Sequence, residues 1–339
     1  MRSRRQRAPL TRRALVASVA LGIALLVAAL AVGLAFGASG IGLGALLPGA
    51  PADARALVLD VRLPRVLAAA VLGAALAVAG VGFQALLRNP LADPYVLGVS
   101  GGASLAGALA LAAGIGAAGV PVAAFAGALA TLAALERLAR VGGRTNVYTL
   151  LLTGAIFNAT SAALLLFLQT FASGEELHAL IFYLMGRVPV LPGWQLALVG
   201  GATAVVALLF AARGRDLNAL ALGEEGAAQL GVDVEGLKRT VLVGASLLTG
   251  LAVARAGMIG FVGLVVPHLL RLLFGPDHRR LVLVSALAGA AGLVVADLAA
   301  RTLAAPRELP VGAVTALVGG PFFLVLLRRQ GRRSVGGNG

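Results

Sequence analysis

The sequence predicts an all-α, polytopic membrane protein of ten transmembrane helices with both termini cytoplasmic. Three observations carry that prediction. Of the 339 residues 59% are hydrophobic and only 12% charged, with mean hydropathy +0.96, about half the charge of an ordinary soluble domain. Uncharged runs long enough to cross a hydrocarbon core of about 30 Å recur along the chain. The basic residues fall between those runs and favour alternate gaps. The formal charge of +14 is therefore read as a topology signal, and no nucleic-acid partner is needed to account for it. With no cysteine in the chain, disulfide frameworks, cysteine zinc sites, thiolate catalysis and iron–sulfur ligation are excluded together.

The runs justify the spans in order. Ala14–Phe36 is 23 residues without a charge, a first crossing by length. Arg2, Arg4, Arg5, Arg7, Arg12 and Arg13 before it also fit the basic end of a secretory signal. The apolar stretch is too long for a signal core, however, and no small-x-small cleavage site closes it. Val66–Leu87 is the second span, and the uncharged run Tyr95–Leu135 holds two more, divided near Gly114–Pro121. Asn146–Phe171 and Val188–Ala212 are the fifth and sixth. Thr240–Leu270 is interrupted only by Arg255, and either half measures about 22 Å, short for a straight crossing. Gly257, Gly260 and Gly263 at three-residue spacing, with Pro267 beyond them, favour an irregular hairpin of two helices, the first starting before Lys238. Leu281–Ala296 and Leu309–Leu327 complete the set.

Ten spans place both termini on one side. Of the 28 basic residues 21 then share that side, and seven, Arg55, Arg62, Arg65, Arg187, Arg255, Arg301 and Arg307, lie opposite. The excess marks the terminal side as cytoplasmic. All polar gaps are loop-sized, so 14–327 reads as one membrane domain between a basic leader, 1–13, and a basic tail, 328–339. The catalytic inventory is thin. There is no phosphate-binding G-x-x-x-x-G-K-[ST] loop, Lys238 is the only lysine, and the chain cannot hydrolyse ATP unaided. His178, His268 and His278 stand far apart without a carboxylate at ligand spacing, so no metal centre is expected.

What remains informative is where polar residues interrupt the apolar text. Gln84–Gly98 contains Pro90 and Pro94, which end one helix and admit the next, and by residue chemistry alone this is a rigid cytoplasmic turn. Gly98 and Gly102 follow at the small-xxx-small spacing of close helix packing. Ala219–Lys238 carries Glu224, Glu225, Asp233 and Glu235 among small and apolar residues, as a solvated amphipathic loop helix does. Arg62 and Arg65 fit interfacial snorkelling, and Arg301, four residues after Asp297, fits a pair that lowers the cost of a membrane carboxylate.

Taken together and in order, five motifs are recognisable: Arg62-Leu-Pro-Arg65 leading into Leu72-Gly-Ala; Gln84…Arg88-Asn-Pro-Leu-Ala-Asp-Pro94; Leu220-Ala-Leu-Gly-Glu-Glu-Gly-Ala-Ala-Gln-Leu-Gly231; Gly260-Phe-Val-Gly-Leu-Val-Val-Pro-His-Leu-Leu-Arg271; and Glu308-Leu-Pro-Val-Gly312. They resemble the permease subunits of type II ATP-binding cassette importers for iron–siderophores, haem and cobalamin. That resemblance implies ten helices per subunit, a homodimer with a path on its two-fold axis, two cytoplasmic ATPase subunits, and a periplasmic or lipid-anchored substrate-binding protein. It places the protein in the bacterial cytoplasmic membrane and implies no cofactor on this chain, ATP and magnesium belonging to the ATPase.

The resemblance also implies site residues. Leu222, Gly223, Glu224, Ala228, Leu230 and Gly231 would contact the ATPase through short coupling helices within 219–238. Arg62, Arg65 and Arg301 would grip acidic residues of the binding protein, a task suited to guanidinium groups. Asn89, Leu91, Asn146, Val147 and Tyr148 would form the cytoplasmic constriction of the path. Departures from common members are Tyr183, where many have tryptophan, and Arg187, where a small polar residue is usual; His268 reads as a helix-start or packing residue. The expected cargo is a ferric siderophore, the commonest for this resemblance, with haem and cobalamin close behind. A zinc or manganese cassette permease would be shorter, and an ion-driven secondary transporter would need intramembrane carboxylates as relays, for which only Asp297 comes near.

Overall fold

The computed structural model describes residues 11–116 and 118–335; residues 1–10 of the leader and 336–339 of the tail lie outside the described residues. The architecture is all-α apart from one tiny hairpin. Helix α1 (Arg12–Ala35) opens on Thr11, whose hydroxyl accepts from the Ala14 N–H, a side-chain cap for an otherwise orphaned donor. Helix α2 (Ala52–Ala56) runs through a π-helical stretch at Leu57–Arg62 into α3 (Leu63–Leu86) as one rod. Next come α4 (Val99–Ala112), α5 (Gly119–Leu138), the strands β1 (Arg140–Val141) and β2 (Arg144–Thr145), α6 (Val147–Phe171) and α7 (Gly174–Met185). After α8 (Gly193–Ala212) lie two short helices, α9 (Gly214–Leu220) and α10 (Glu224–Gln229), then α11 (Val234–Ala256), α12 (Val262–Phe274), α13 (His278–Thr302) and α14 (Val311–Val335).

Among the described residues seven helical rods are long and apolar enough to cross a membrane, while α4, α12 and the apolar part of α14 are shorter. Each expected run carries one of these helices, and the runs at 95–135 and 240–270 carry two. The boundaries differ for physical reasons. Helix α13 continues past Ala296 to Thr302 because Asp297 and Arg301, four residues apart, neutralise each other on one face. Helix α8 starts at Gly193 instead of Val188, since Pro189 and Pro192 hold the preceding chain out of helix. The twelve-residue α7 was not expected; Ser173 and Glu176 form its reciprocal capping box.

Helix α3 is the axis of the bundle, buried along almost its whole length and packed by α13, α11, α12 and α8. Small residues make that possible. A side chain at Gly73 would overlap the Gly289 carbonyl of α13, and one at Gly80 would overlap the Gly263 carbonyl of α12, so the backbones are already in contact. Outside, α1, α6 and α8 leave Val16, Leu21, Leu166, Phe167, Val205 and Leu208 exposed, the apolar rim that a lipid surround requires.

Helices α4 and α12 are each about 20 Å long by their residue count, and the reason lies at their starts. The Tyr95 hydroxyl donates to the Ile259 carbonyl (3.0 Å) and accepts from its N–H (2.9 Å), and the Asn158 amide donates to the Tyr95 carbonyl (2.7 Å). The Gln84 amide donates to the Leu264 carbonyl (3.2 Å). The second half of the expected turn at Gln84–Gly98 thus folds inward against the irregular stretch at 257–261, where Phe261 holds a left-handed φ of 68°. Non-helical backbone is tolerated at membrane depth only where protein satisfies its polar groups. Here one tyrosine and two amide side chains do so.

Candidate docking and coupling sites

At one end of the bundle, Arg65 and Arg301 hold Asp297, with Arg62 one turn before Arg65 on the same rod. Proline at the second position of α3 fixes the entry of that helix and brings Arg65 one turn inside it. Arg65 meets the carboxylate of Asp297 (3.1 Å) from α3, and Arg301 meets it (2.8 Å) from within α13. The second guanidinium nitrogen of Arg65 holds Glu308 at 2.8 Å. Arg62 points the other way. It donates to the carbonyls of Leu34 (2.8 Å) and Ile41 (2.7 Å) and to the Ser39 hydroxyl, so it binds the end of α1 to the rod.

Asp297 is fully buried and all three arginines are nearly so. The donors of all three are largely spent within the chain. Two groups keep the cluster open to a partner. Glu308 remains half exposed, its carboxyl held below the ordinary range because hydrogen bonding and charge from Arg65 outweigh burial, which alone would raise it. Arg301 Nη2 is buried with no acceptor among the described residues. Glu308 was quoted in the sequence only as part of a motif; its pairing could not be read there because Arg65 lies 243 residues away.

At the opposite end, the segment 219–238 holds the end of α9, the whole of α10 and the start of α11. Gly223 (φ 114°) and Gly231 (φ 80°) bracket α10 in backbone conformations that side-chain-bearing residues rarely adopt. Leu222 and Leu230 flank it at 73% and 66% exposure, an uncovered apolar pair on a short rigid element. Ala228 lies on the helix between them and Glu224 opens its first turn.

Next to α10 lies the start of α6. Asn146 caps that helix, its side chain accepting from the Thr149 N–H at 3.0 Å, and Tyr148 is 75% exposed beside the half-buried Val147. Asn89 and Leu91 lie together in the proline turn, the Asn89 side chain accepting from the Leu91 N–H at 2.9 Å, while the Pro90 carbonyl contacts His268 Nδ1 at 3.2 Å. His268 is thus a buried residue joining α12 to the turn. The three histidines occupy three separate surroundings, His178 beside Phe182, His268 beside Phe323 and His278 against Asn218.

None of these groups is arranged for bond chemistry. They suit recognition at both ends of a transmembrane bundle. The FecCD transport family profile matches residues 21–329. An uncharacterized ABC transporter permease protein, YvrB of Bacillus subtilis (strain 168), is 42% identical over 283 residues, covering 81% of this chain and 80% of its own length. The cobalamin import system permease protein BtuC of Halobacterium salinarum is 42% identical over 291 residues, 85% of this chain and 77% of its own. The hemin transport system permease protein HmuU of Yersinia pestis is 41% identical over 285 residues, 80% and 83%. A solved structure described as an inward-facing metal-chelate type ABC transporter superposes with a TM-score of 0.82 at 30% identity, covering 93% of this chain and 99% of that one. PsaBC from Streptococcus pneumoniae shares the fold, with a TM-score of 0.55 at 18% identity over 80% and 92%.

Proposed function

The chain belongs to the FecCD transport family, and we propose on that basis that it is the membrane pathway through which an importer takes up a bulky metal chelate. It is a multi-pass permease of the bacterial inner membrane and belongs with the ABC importers of the FecCD and BtuC type. The ion-driven secondary transporter weighed from the sequence is set aside by that membership. In our reading the ten apolar helices each cross the bilayer, both termini lie in the cytoplasm, 14–327 forms one domain, and two copies enclose the path. Two ATPase subunits engage α10 through Leu222, Gly223, Glu224, Ala228, Leu230 and Gly231, and bring ATP and magnesium with them. A periplasmic or lipid-anchored binding protein docks over the Arg62, Arg65 and Arg301 cluster, its carboxylate taking the place of Glu308 on Arg65. Asn89, Leu91, Asn146, Val147 and Tyr148 form the cytoplasmic constriction.

The observation that carries this reading is the exposed Leu222 and Leu230 pair on the glycine-bracketed α10, at the end of a bundle whose whole length matches the family. Such a helix gives an ATPase a rigid handle, and the permease needs only two arrangements of differing affinity for its partners. The cargo we propose is a ferric siderophore, with haem and cobalamin as its near alternatives; the names of the relatives support the last two. Uptake into proteoliposomes holding this chain and its ATPase, with the binding protein outside and ATP inside, tests the reading against labelled ferric siderophore, haemin, cobalamin, Zn²⁺ and Mn²⁺. ATP-dependent accumulation of one chelate is expected; uptake of a bare ion alone would overturn it.

A further inference from the structure

We propose that Lys238 is the joint that carries movement of α10 to the start of α6, a positioning role that rests on reading 219–238 as the ATPase-facing segment. Lys238 is the single lysine among 28 basic residues, and it is 1% exposed. Burying an ammonium costs several kcal/mol unless every donor is met. Here every donor is met: Nζ lies 2.6 Å from the Thr145 carbonyl, 2.9 Å from Glu224 and 2.6 Å from Glu235. Three acceptors around one point suit a compact ammonium with three rotatable donors, whereas a planar guanidinium would spread them. That explains a lysine at this place in a chain that otherwise uses arginine.

Each acceptor belongs to a different part of the proposed machine. Glu224 is the first residue of α10, Glu235 lies in the first turn of α11, and Thr145 ends β2. Thr145 is held from both sides of its backbone, because its N–H also donates to Glu235 at 2.8 Å. Glu235 thus accepts from both Lys238 and Thr145. The next residue, Asn146, caps α6, and Tyr148 follows two residues later. A second tie, Arg239 to Glu136 at 2.9 Å and Glu136 to Arg140 at 2.8 Å, braces α11 and α5 against the same hairpin. Gly223 and Gly231 give α10 the freedom to pivot, and the Glu224 contact converts a pivot into a pull on Thr145. The proposed coupling is a contiguous chain of contacts from Glu224 through Lys238 to Thr145, and the measurement it needs is whether the hairpin takes a second arrangement when the ATPase changes state.

The test uses the full-length permease bound to its ATPase in nanodiscs. The chain has no native cysteine, so Arg144→Cys, an exposed hairpin position, gives a single labelling site for a water-soluble maleimide. In the parent, trapping the ATPase with ATP and vanadate should change the labelling rate about fivefold or more, the lower range of coupling between sites. In Lys238→Met and in Lys238→Gln the change should fall below about twofold while the ATPase stays bound and hydrolyses ATP. Glutamine keeps two amide donors for the acceptors around a position that is 1% exposed, so Lys238→Gln decides the matter if Lys238→Met does not fold. A parent-sized change in Lys238→Gln would overturn the joint and leave shielding by the ATPase as the cause. Loss of ATPase binding in Lys238→Gln would make the lysine a support for docking and overturn the joint equally. An ATPase that never binds the parent would overturn the coupling reading itself.

Discussion

Asp297 shows what a single side chain holds together. It accepts from Arg65 and Arg301 in a site with no solvent contact, and so ties α3 to α13. Removing one partner of a buried ion pair leaves the other charge uncompensated, at a cost of about 3–5 kcal/mol. Asp297→Asn should therefore lower the thermal midpoint of the detergent-purified protein sharply, whereas Glu308→Gln, at a half-exposed position, should cost less than about 1 kcal/mol. Equal loss in both would mean that Glu308 is as essential to the cluster as the buried carboxylate.

At the scale of elements, the proposed ATPase contact falls on a short helix. Helix α10 has only six residues, too few to be stable alone, and it owes its position to the Lys238 contact and to its two bracketing glycines. Its flanking leucines are exposed because nothing among the described residues covers them. If they are the anchors of an ATPase contact, each is worth about 2 kcal/mol on the scale of interface hot spots. Leu222→Asp with Leu230→Asp should then reduce co-purification of the ATPase at least about a hundredfold while the permease keeps its thermal midpoint. Unchanged co-purification would remove α10 from the interface. The starts of α4 and α12 illustrate the opposite economy: their paired irregular segments are fixed by Tyr95 and Asn158 inside the bundle, where exposed backbone could not persist.

The whole molecule is an apolar bundle whose axis is α3, with a buried charge cluster at one end and the exposed leucines beside α10 at the other. The proposed orientation rests on charge: ten crossings would put 21 basic residues on the side of the termini and seven opposite, the bias that cytoplasmic loops show. A membrane-impermeant maleimide should thus reach Asp53→Cys in right-side-out vesicles, and should reach Arg144→Cys only after permeabilisation. The reverse pattern would invert the topology and place α10 where no ATPase can meet it.

The sequence by itself determined the membrane class, the apolar runs, the bracketing of α10 by glycines and the family motifs. All of these are local: a hydropathic run, a glycine or a short motif is complete within a few turns of chain. It also foretold the Asp297–Arg301 pair, since residues four apart on a helix are neighbours. Only the tertiary structure decided that Arg65 meets Asp297 from 232 residues away, that Arg62 is spent on the end of α1, and that Tyr95 and Ile259 join two half-length helices. The same holds for Lys238, whose contacts with Thr145 and Glu224 depend on how α11 packs beside the hairpin and α10. Partner identity is a property of helix packing, set where glycines let backbones touch, and no spacing along the chain encodes it.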